Sequence, residues 1–141
     1  MAAEELAQRL SGASDAEFEA WASQVGPARL LEAVFASAAA EAAPGLSGTL
    51  QWEIQAPDGL HPYLVSFRAG SASARRGQEA HPEARIAVSL AGWARLVTGQ
   101  LPLAEGLVQG RLRLSGDLAL ARAALAWLAG LGPRPPGGLP A

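Results

Sequence analysis

The hydrophobic pattern of this chain changes its period near residue 48, and this change constrains the fold more than any other feature. Upstream, apolar residues recur at helical spacing. In GTLQWEIQ, by contrast, Leu50, Trp52 and Ile54 alternate with polar residues. Strict alternation is typical of a strand with one buried and one solvated face. A chain that passes from helices to such strands predicts an α+β fold, because helices must cover the apolar face of the sheet.

Two helices are predicted ahead of the first strand. Ser14 and Glu17 have the spacing of a capping box, in which each residue bonds the backbone N–H of the other. Pro27 suits the first turn of a second helix, where its missing N–H costs nothing. The apolar positions of the first helix are Phe18, Trp21, Ala22 and Val25, and those of the second are Leu30, Leu31, Val34, Phe35 and Ala38. The second helix is expected to end before Pro44-Gly45.

Four more strands follow in the pattern. Pro57-Asp58-Gly59 predicts a turn into a second strand, with fixed φ at the proline and free φ at the glycine. The third strand, SASARR, is expected at a sheet edge because its small residues can bury little. RLRLSG predicts the fifth strand by its alternation. The inward residues are Tyr63, Val65 and Phe67 in the second strand, and Ile86, Val88 and Leu90 in the fourth, which follows Pro82.

Helical spacing returns after the fourth strand. A helix that ends at Gly99 is predicted by the spacing of Trp93, Leu96 and Val97. A shorter helix is predicted over 102–108. Asp117 is a suitable N-cap for a last helix that is apolar over much of its circumference. We expect one domain over 1–132, with N-terminal helices in 1–44 and the sheet and other helices in 45–132. The Pro- and Gly-rich tail, 133–141, is expected to be extended and mobile.

Composition narrows the class of protein. With 141 residues, of which 50% are apolar and 17% charged, the chain suits one domain with a packed core. The net charge is −2, and Arg75-Arg76 is the only adjacent basic pair, which argues against nucleic-acid binding. There is no cysteine for disulfide or thiol chemistry. Without a signal-peptide pattern or a run of roughly 20 apolar residues, a cytoplasmic protein is expected.

Residues for catalysis are scarce. His61 and His81 each precede a proline, and we expect both to be exposed loop residues without metal-ligand spacing. Glu53 and Asp58 could form a carboxylate pair, but a solvated strand face and a turn explain them better. The sequence has no GxSxG, and a phosphate loop is impossible because the chain has no lysine. The expected protein is not an enzyme and uses no cofactor or catalytic metal.

The four tryptophans fall in different helices and strands, each within an apolar stripe. They fit either an ordinary packed core or a core left partly open for a small apolar ligand. Periodicity alone does not distinguish these two.

The segment 48–128 resembles the sterol carrier protein type-two domain family. Pro82 opens the fourth strand as in that family, and Trp93 and Leu96 precede Gly99 in the same way. GRLRLSGD, at 110–117, is the most specific match. There are departures: Pro102 lies one position early, Gly106 stands where the family commonly has alanine, and the N-terminal helices are longer than the family core requires. The peroxisomal Ser-Lys-Leu ending is missing, so no organelle targeting is implied.

The resemblance implies an open, twisted, five-stranded and mainly antiparallel sheet, with helices packed on one face. It also implies a carrier with an internal apolar tunnel for a fatty acid, a fatty acyl-CoA or a sterol. Such a protein would contact membrane surfaces at most transiently. The alternative is a non-catalytic accessory module with the same fold and a vestigial cavity. Carried over by position, the tunnel lining would be Trp52, Phe67, Trp93, Leu96, Leu101, Leu107, Trp127 and Leu128.

Overall fold

The computed structural model describes residues 3–40 and 43–129. Its helices are α1 (Ala3–Leu10), α2 (Asp15–Val25), α3 (Pro27–Ala39), α4 (Leu90–Val97), α5 (Leu103–Val108) and α6 (Leu118–Ala129). Its strands are β1 (Gly48–Ala56), β2 (Gly59–Arg68), β3 (Ser71–Arg76), β4 (Ala84–Ser89) and β5 (Leu112–Gly116). The tail predicted over 133–141 lies outside the described residues. No helix in the described part is long and apolar enough to cross a membrane.

The five strands form a single sheet in the order β3-β2-β1-β4-β5. Three of the four pairings are antiparallel, and β1 pairs with β4 in parallel. Trp52 lies opposite both Tyr63 and Ile86, so these three side chains share one face. The prediction of a mainly antiparallel five-stranded sheet is confirmed, and β3 lies at an edge as expected.

The helices cover one face of this sheet, as predicted. α4 and α6 pack on the central strands β1 and β4, whereas α3 packs over the edge strand β3. The side chains that meet them from the sheet are fully or almost fully buried: Leu50, Trp52, Ile54, Tyr63, Val65, Phe67, Ala84, Ile86 and Val88. On the outer side of α4 lie α1 and α2, which add Leu6, Leu10, Phe18 and Ala22 to the core. α4 is therefore enclosed between the sheet and a second layer of helices.

Local chemistry determines where α2 and α3 begin. Glu17 N donates to Ser14 Oγ over 3.1 Å, and Ser14 N donates to Glu17 Oε1 over 2.9 Å, which completes the predicted capping box. The Ser14 backbone N–H, with a smaller contribution from its side chain, lowers the pKa of Glu17 from its ordinary value of 4.5. Pro27 opens α3, as its sequence position predicted.

Two elements differ from the sequence prediction. α1 was not predicted, although its Leu6 and Leu10 are buried against the rest of the domain. Leu90 was expected to end the fourth strand, but it begins α4 instead. The reason lies in the preceding residue, because Ser89 Oγ accepts the N–H of Gly92 over 3.0 Å and caps the helix.

The segment that crosses from β3 to β4 packs against Gln51, on the face of the sheet opposite to the helices. Gln51 was expected to face solvent, yet it is fully buried. Its Nε2 donates to the carbonyls of Tyr63 and Gly77, at 3.1 and 2.9 Å, and its Oε1 accepts the N–H of Glu79 at 2.9 Å. Gln51 thus fixes the crossover against the sheet, and it satisfies buried polar groups that would otherwise be costly.

Candidate functional site

A small apolar void lies where α3, α6 and the sheet meet. Its volume is about 10 Å³, close to the minimum that holds one water molecule. The side chains around it are all apolar: Phe35 from α3, Leu50, Trp52, Val65 and Phe67 from the sheet, and Ala124, Trp127 and Leu128 from α6. In this state the interior is filled, and there is no room for a lipid chain in the void.

Several aromatic rings pack in this interior. The ring of Phe35 stacks on Tyr63 with centroids 4.7 Å apart, and it also packs against Trp52 at 6.3 Å and Trp93 at 5.8 Å. Phe67, which also lines the void, meets Trp127 edge-on at 5.2 Å. Phe35 and Phe67 both line the void, and their ring pairs have geometries that aromatic side chains prefer.

Four of the eight residues proposed from sequence meet at this void: Trp52, Phe67, Trp127 and Leu128. Trp93 lies one ring away, behind Phe35, and its buried Nε1 has no acceptor among the described residues. Sequence reasoning had placed Phe35 and Leu50 on inward faces but did not assign them to a binding site. It missed Val65 and Ala124 as lining residues for the same reason, because periodicity identifies a face and not a cavity.

Leu96 and Leu101 line a different space, a cleft of about 220 Å³ between the end of α4 and α6. Leu103, Leu125 and Arg122 also line it. Leu107 is partly buried against the core and is not among the residues around the void. The eight proposed residues thus belong to at least two separate places in this state.

His61 differs from its expected setting. It lies buried inside β2 and not in an exposed loop. Its Nδ1 accepts a hydrogen bond from Arg76 Nη1 at 3.0 Å, so its Nε2 is the nitrogen that donates to Asp58 Oδ1 at 2.7 Å. Both ring nitrogens are engaged, and His61 is not placed as a general base. His81 is exposed in a loop, as predicted.

The other candidate groups do not assemble a reactive centre in the described part of the chain. Glu53 lies 3.4 Å from Arg85 Nε, and Asp58 contacts His61, so the two carboxylates do not pair with each other. Residues 3–40 and 43–129 contain no group of three or more His, Asp or Glu side chains that could bind a metal ion.

The sequence matches the model of the SCP-2 sterol transfer family over residues 28–127. The chain belongs to this family. The match includes the whole sheet and almost all of α3 and α6, and it leaves α1 and α2 of this SCP-2 chain ahead of the shared region. No curated protein matches the sequence at a significant level.

Solved structures share the SCP-2 fold. The crystal structure of sterol carrier protein 2 like 2 from Aedes aegypti is 23% identical, with a TM-score of 0.59 over 73% of this chain and 96% of that one. Aedes aegypti sterol carrier protein-2, solved in complex with palmitate, is 17% identical, with a TM-score of 0.55 over 70% and 93% of the two chains. A Pseudomonas sec-alkylsulfatase, Pisa1, is 17% identical, with a TM-score of 0.51 over 72% of this chain but 15% of the sulfatase.

Proposed function

We propose that this SCP-2 chain is a non-catalytic carrier that binds the apolar part of a fatty acid, a fatty acyl-CoA or a sterol between the sheet and α6. The observation that supports this most is the void, because every side chain around it is apolar and these side chains come from α3, β1, β2 and α6. Trp52, Phe67, Trp127 and Leu128 would contact the ligand. The palmitate bound by the Aedes aegypti relative supports a long-chain ligand. We expect the protein to act in the cytoplasm.

Binding requires the interior to open. Ligand sites for small molecules commonly enclose roughly 300–1,000 Å³, whereas the void has about 10 Å³. α6 is the element that would move, since Ala124, Trp127 and Leu128 form one side of the void. Burial of a chain stabilises the complex by about 0.8 kcal/mol per methylene. About ten methylenes therefore match a micromolar affinity only if opening and association cost little.

The filled interior also supports a second candidate function. A domain whose cavity is vestigial would act as an accessory module, as a part of a larger assembly or beside an enzyme. The similarity to a small part of the Pisa1 sulfatase fits this alternative. The two functions differ in one measurable property, which is whether the folded domain takes up a long-chain ligand.

Native mass spectrometry of the purified protein, followed by titration with long-chain and short-chain fatty acids, tests the carrier function. Trp52 and Trp127 line the void, so their emission should change saturably with the long chain and not with the short one. The absence of any co-purified lipid and of any saturable signal would reject the carrier and favour the accessory module.

A matched pair of substitutions on α6 locates the site. Ala124 lines the void and Ala121 does not, although both are buried on the same helix. Valine at either position has the same helix propensity and a similar overpacking cost. We expect Ala124→Val to weaken binding about tenfold, which is about 1.4 kcal/mol, and Ala121→Val to weaken it less than about threefold. Equal effects in fluorescence titrations would place the ligand elsewhere.

A further inference from the structure

A cleft of about 340 Å³ lies between α3 and the edge strand β3. Small side chains keep it open, since Ala28 and Ala36 come from α3 and Ala74 from β3. Its inner wall includes Phe35, which is also part of the wall of the void. The ring of Phe35 is therefore shared by the walls of the surface cleft and of the proposed site for the apolar chain.

One cation in this cleft is fixed in position by its neighbours. Arg76 lies opposite Tyr63 in the sheet, on the face that the helices cover, and its guanidinium lies 5.9 Å from the centroid of that ring. Its Nη1 donates to His61 Nδ1 at 3.0 Å, and His61 is in turn bound to Asp58. This series of contacts restricts the guanidinium, so less side-chain entropy is lost when it binds a ligand.

The rest of the guanidinium has no anionic partner in the part of the chain that the structure describes. The ion pairs of residues 3–40 and 43–129 engage Arg85, Arg95 and Arg111, and none engages Arg76. A planar guanidinium with further N–H donors at the rim of a cleft suits a carboxylate, which can accept two parallel hydrogen bonds.

We propose that this cleft binds the carboxylate head group of a single-chain lipid, with Arg76 as its partner and the chain passing Phe35 into the interior. The proposal rests on the proposed function and narrows its ligand to an anionic amphiphile. Neighbouring strands lie about 4.8 Å apart, and β2 alone separates β3 from β1. Arg76 and Trp52 are both in register with Tyr63 of β2, so their backbones lie about 10 Å apart across the sheet, a distance that a lipid chain can span.

Two other charged residues border the cleft, and one of them affects its selectivity. Glu32 is exposed on the α3 side and would repel a carboxylate. Arg75 also borders the cleft, but it pairs with Leu64, so its side chain leaves the sheet on the opposite face. Substitutions of Arg76 and Glu32 are thus expected to change the affinity for an anionic head group in opposite directions.

The test compares dodecanoate with 1-dodecanol, which have the same chain length and differ in the charge of the head group. Titrations by calorimetry would use the full chain as wild type, Arg76→Gln, Glu32→Gln and the control Arg113→Gln. Arg113 is exposed on β5, at the other edge of the sheet. Because Arg76 is exposed, we expect Arg76→Gln to weaken dodecanoate binding by about threefold to tenfold and to leave dodecanol binding within about twofold. Glu32→Gln should strengthen dodecanoate binding, and Arg113→Gln should change neither.

Salt dependence gives a second readout in the same proteins. Added NaCl should weaken dodecanoate binding in the wild type more than in Arg76→Gln, and Arg76→Lys should retain part of this dependence. If Arg76→Gln weakened the binding of dodecanoate and 1-dodecanol equally, or changed neither affinity, the head-group site would be overturned while the carrier function stands. If neither probe binds to the wild type, the carrier function fails and this inference fails with it.

Discussion

The two ends of the helical layer are attached to the domain in different ways. At the amino end, α1 and α2 pack on α4, and α2 is fixed there by directed polar contacts. Asp15 Oδ1 accepts from Arg95 Nε at 2.8 Å, its Oδ2 accepts from Arg111 Nη2 at 2.6 Å, and Glu19 accepts the N–H of Ala91 at 3.0 Å. At the carboxyl end, the side chains that α6 presents to the void are apolar.

This difference indicates which end can open. Hydrogen bonds to charged groups are directional and depend steeply on distance, so α2 has one favourable position on α4. Apolar packing is not directional, and a lipid chain can replace one apolar partner with another at small cost. The contrast predicts a fixed amino end, outside the region matched by the family model, and a carboxyl end that yields to the ligand.

The largest expected effect on the free energy of unfolding comes from truncating one buried leucine at each end of the helical layer. Leu10 in α1 and Leu128 in α6 are both buried, and alanine at either position should lower the free energy of unfolding by about 2–5 kcal/mol. Only Leu128 lines the void. We therefore expect Leu128→Ala to change the affinity for a long-chain fatty acid and Leu10→Ala to leave it within about twofold.

Urea denaturation gives the stability of both variants, and fluorescence titration gives the affinity of the folded protein. If Leu10→Ala altered affinity as much as Leu128→Ala did, the two ends would be coupled, and the contrast between them would be wrong.

Removal of the Asp15 charge, at the amino end of the helical layer, should have an intermediate effect on stability. Asp15 is 47% exposed in its side chain, whereas Arg95 and Arg111 are 15% and 29% exposed. Since the carboxylate is half in water, its two charged hydrogen bonds are worth less than buried ones. We expect Asp15→Asn to lower stability by about 1–2 kcal/mol, with a smaller loss in 1 M NaCl.

Thermal melts at two salt concentrations measure this effect, and Glu105→Gln, an exposed site on α5, controls for the loss of one negative charge. A loss of stability that is the same for both variants would show that net charge, and not the contact with the two arginines, matters.

The sequence was sufficient for what short-range patterns determine. Alternation placed Leu50, Trp52 and Ile54 on the helix-covered face, and spacing predicted the caps at Ser14 and Asp117. It failed for Gln51, whose burial depends on Gly77 and Glu79, because no local pattern reports where a crossover returns across the sheet.

The binding site was predictable only in part, for a related reason. Trp52 and Trp127 belong to apolar stripes and do meet at the void, but so would the residues of any filled core. The volume between two packed faces depends on how rings such as Phe35 interlock, and periodicity contains no information on this. His61 was misplaced because its partners are a turn carboxylate and an arginine on another strand, which local sequence does not bring together.

The smallest expected effect concerns the capping box that begins α2, next to Asp15. The Ser14 backbone N–H lowers the pKa of Glu17 below its ordinary value of 4.5. A carboxyl whose pKa is lower in the folded state adds stability that is complete above the unfolded pKa and is lost as pH falls through the folded pKa. The stability advantage of the wild type over Glu17→Gln should thus be constant from pH 7 to about pH 5 and should decrease below pH 4.5.

Urea denaturation of both proteins across this pH range isolates the contribution of Glu17, because the other carboxyls are common to both. A difference in stability that does not change with pH would show that the cap acts through its geometry and not through the charge of Glu17. Ligand affinity should be the same in both proteins at every pH, because the cap belongs to the fixed end of the helical layer.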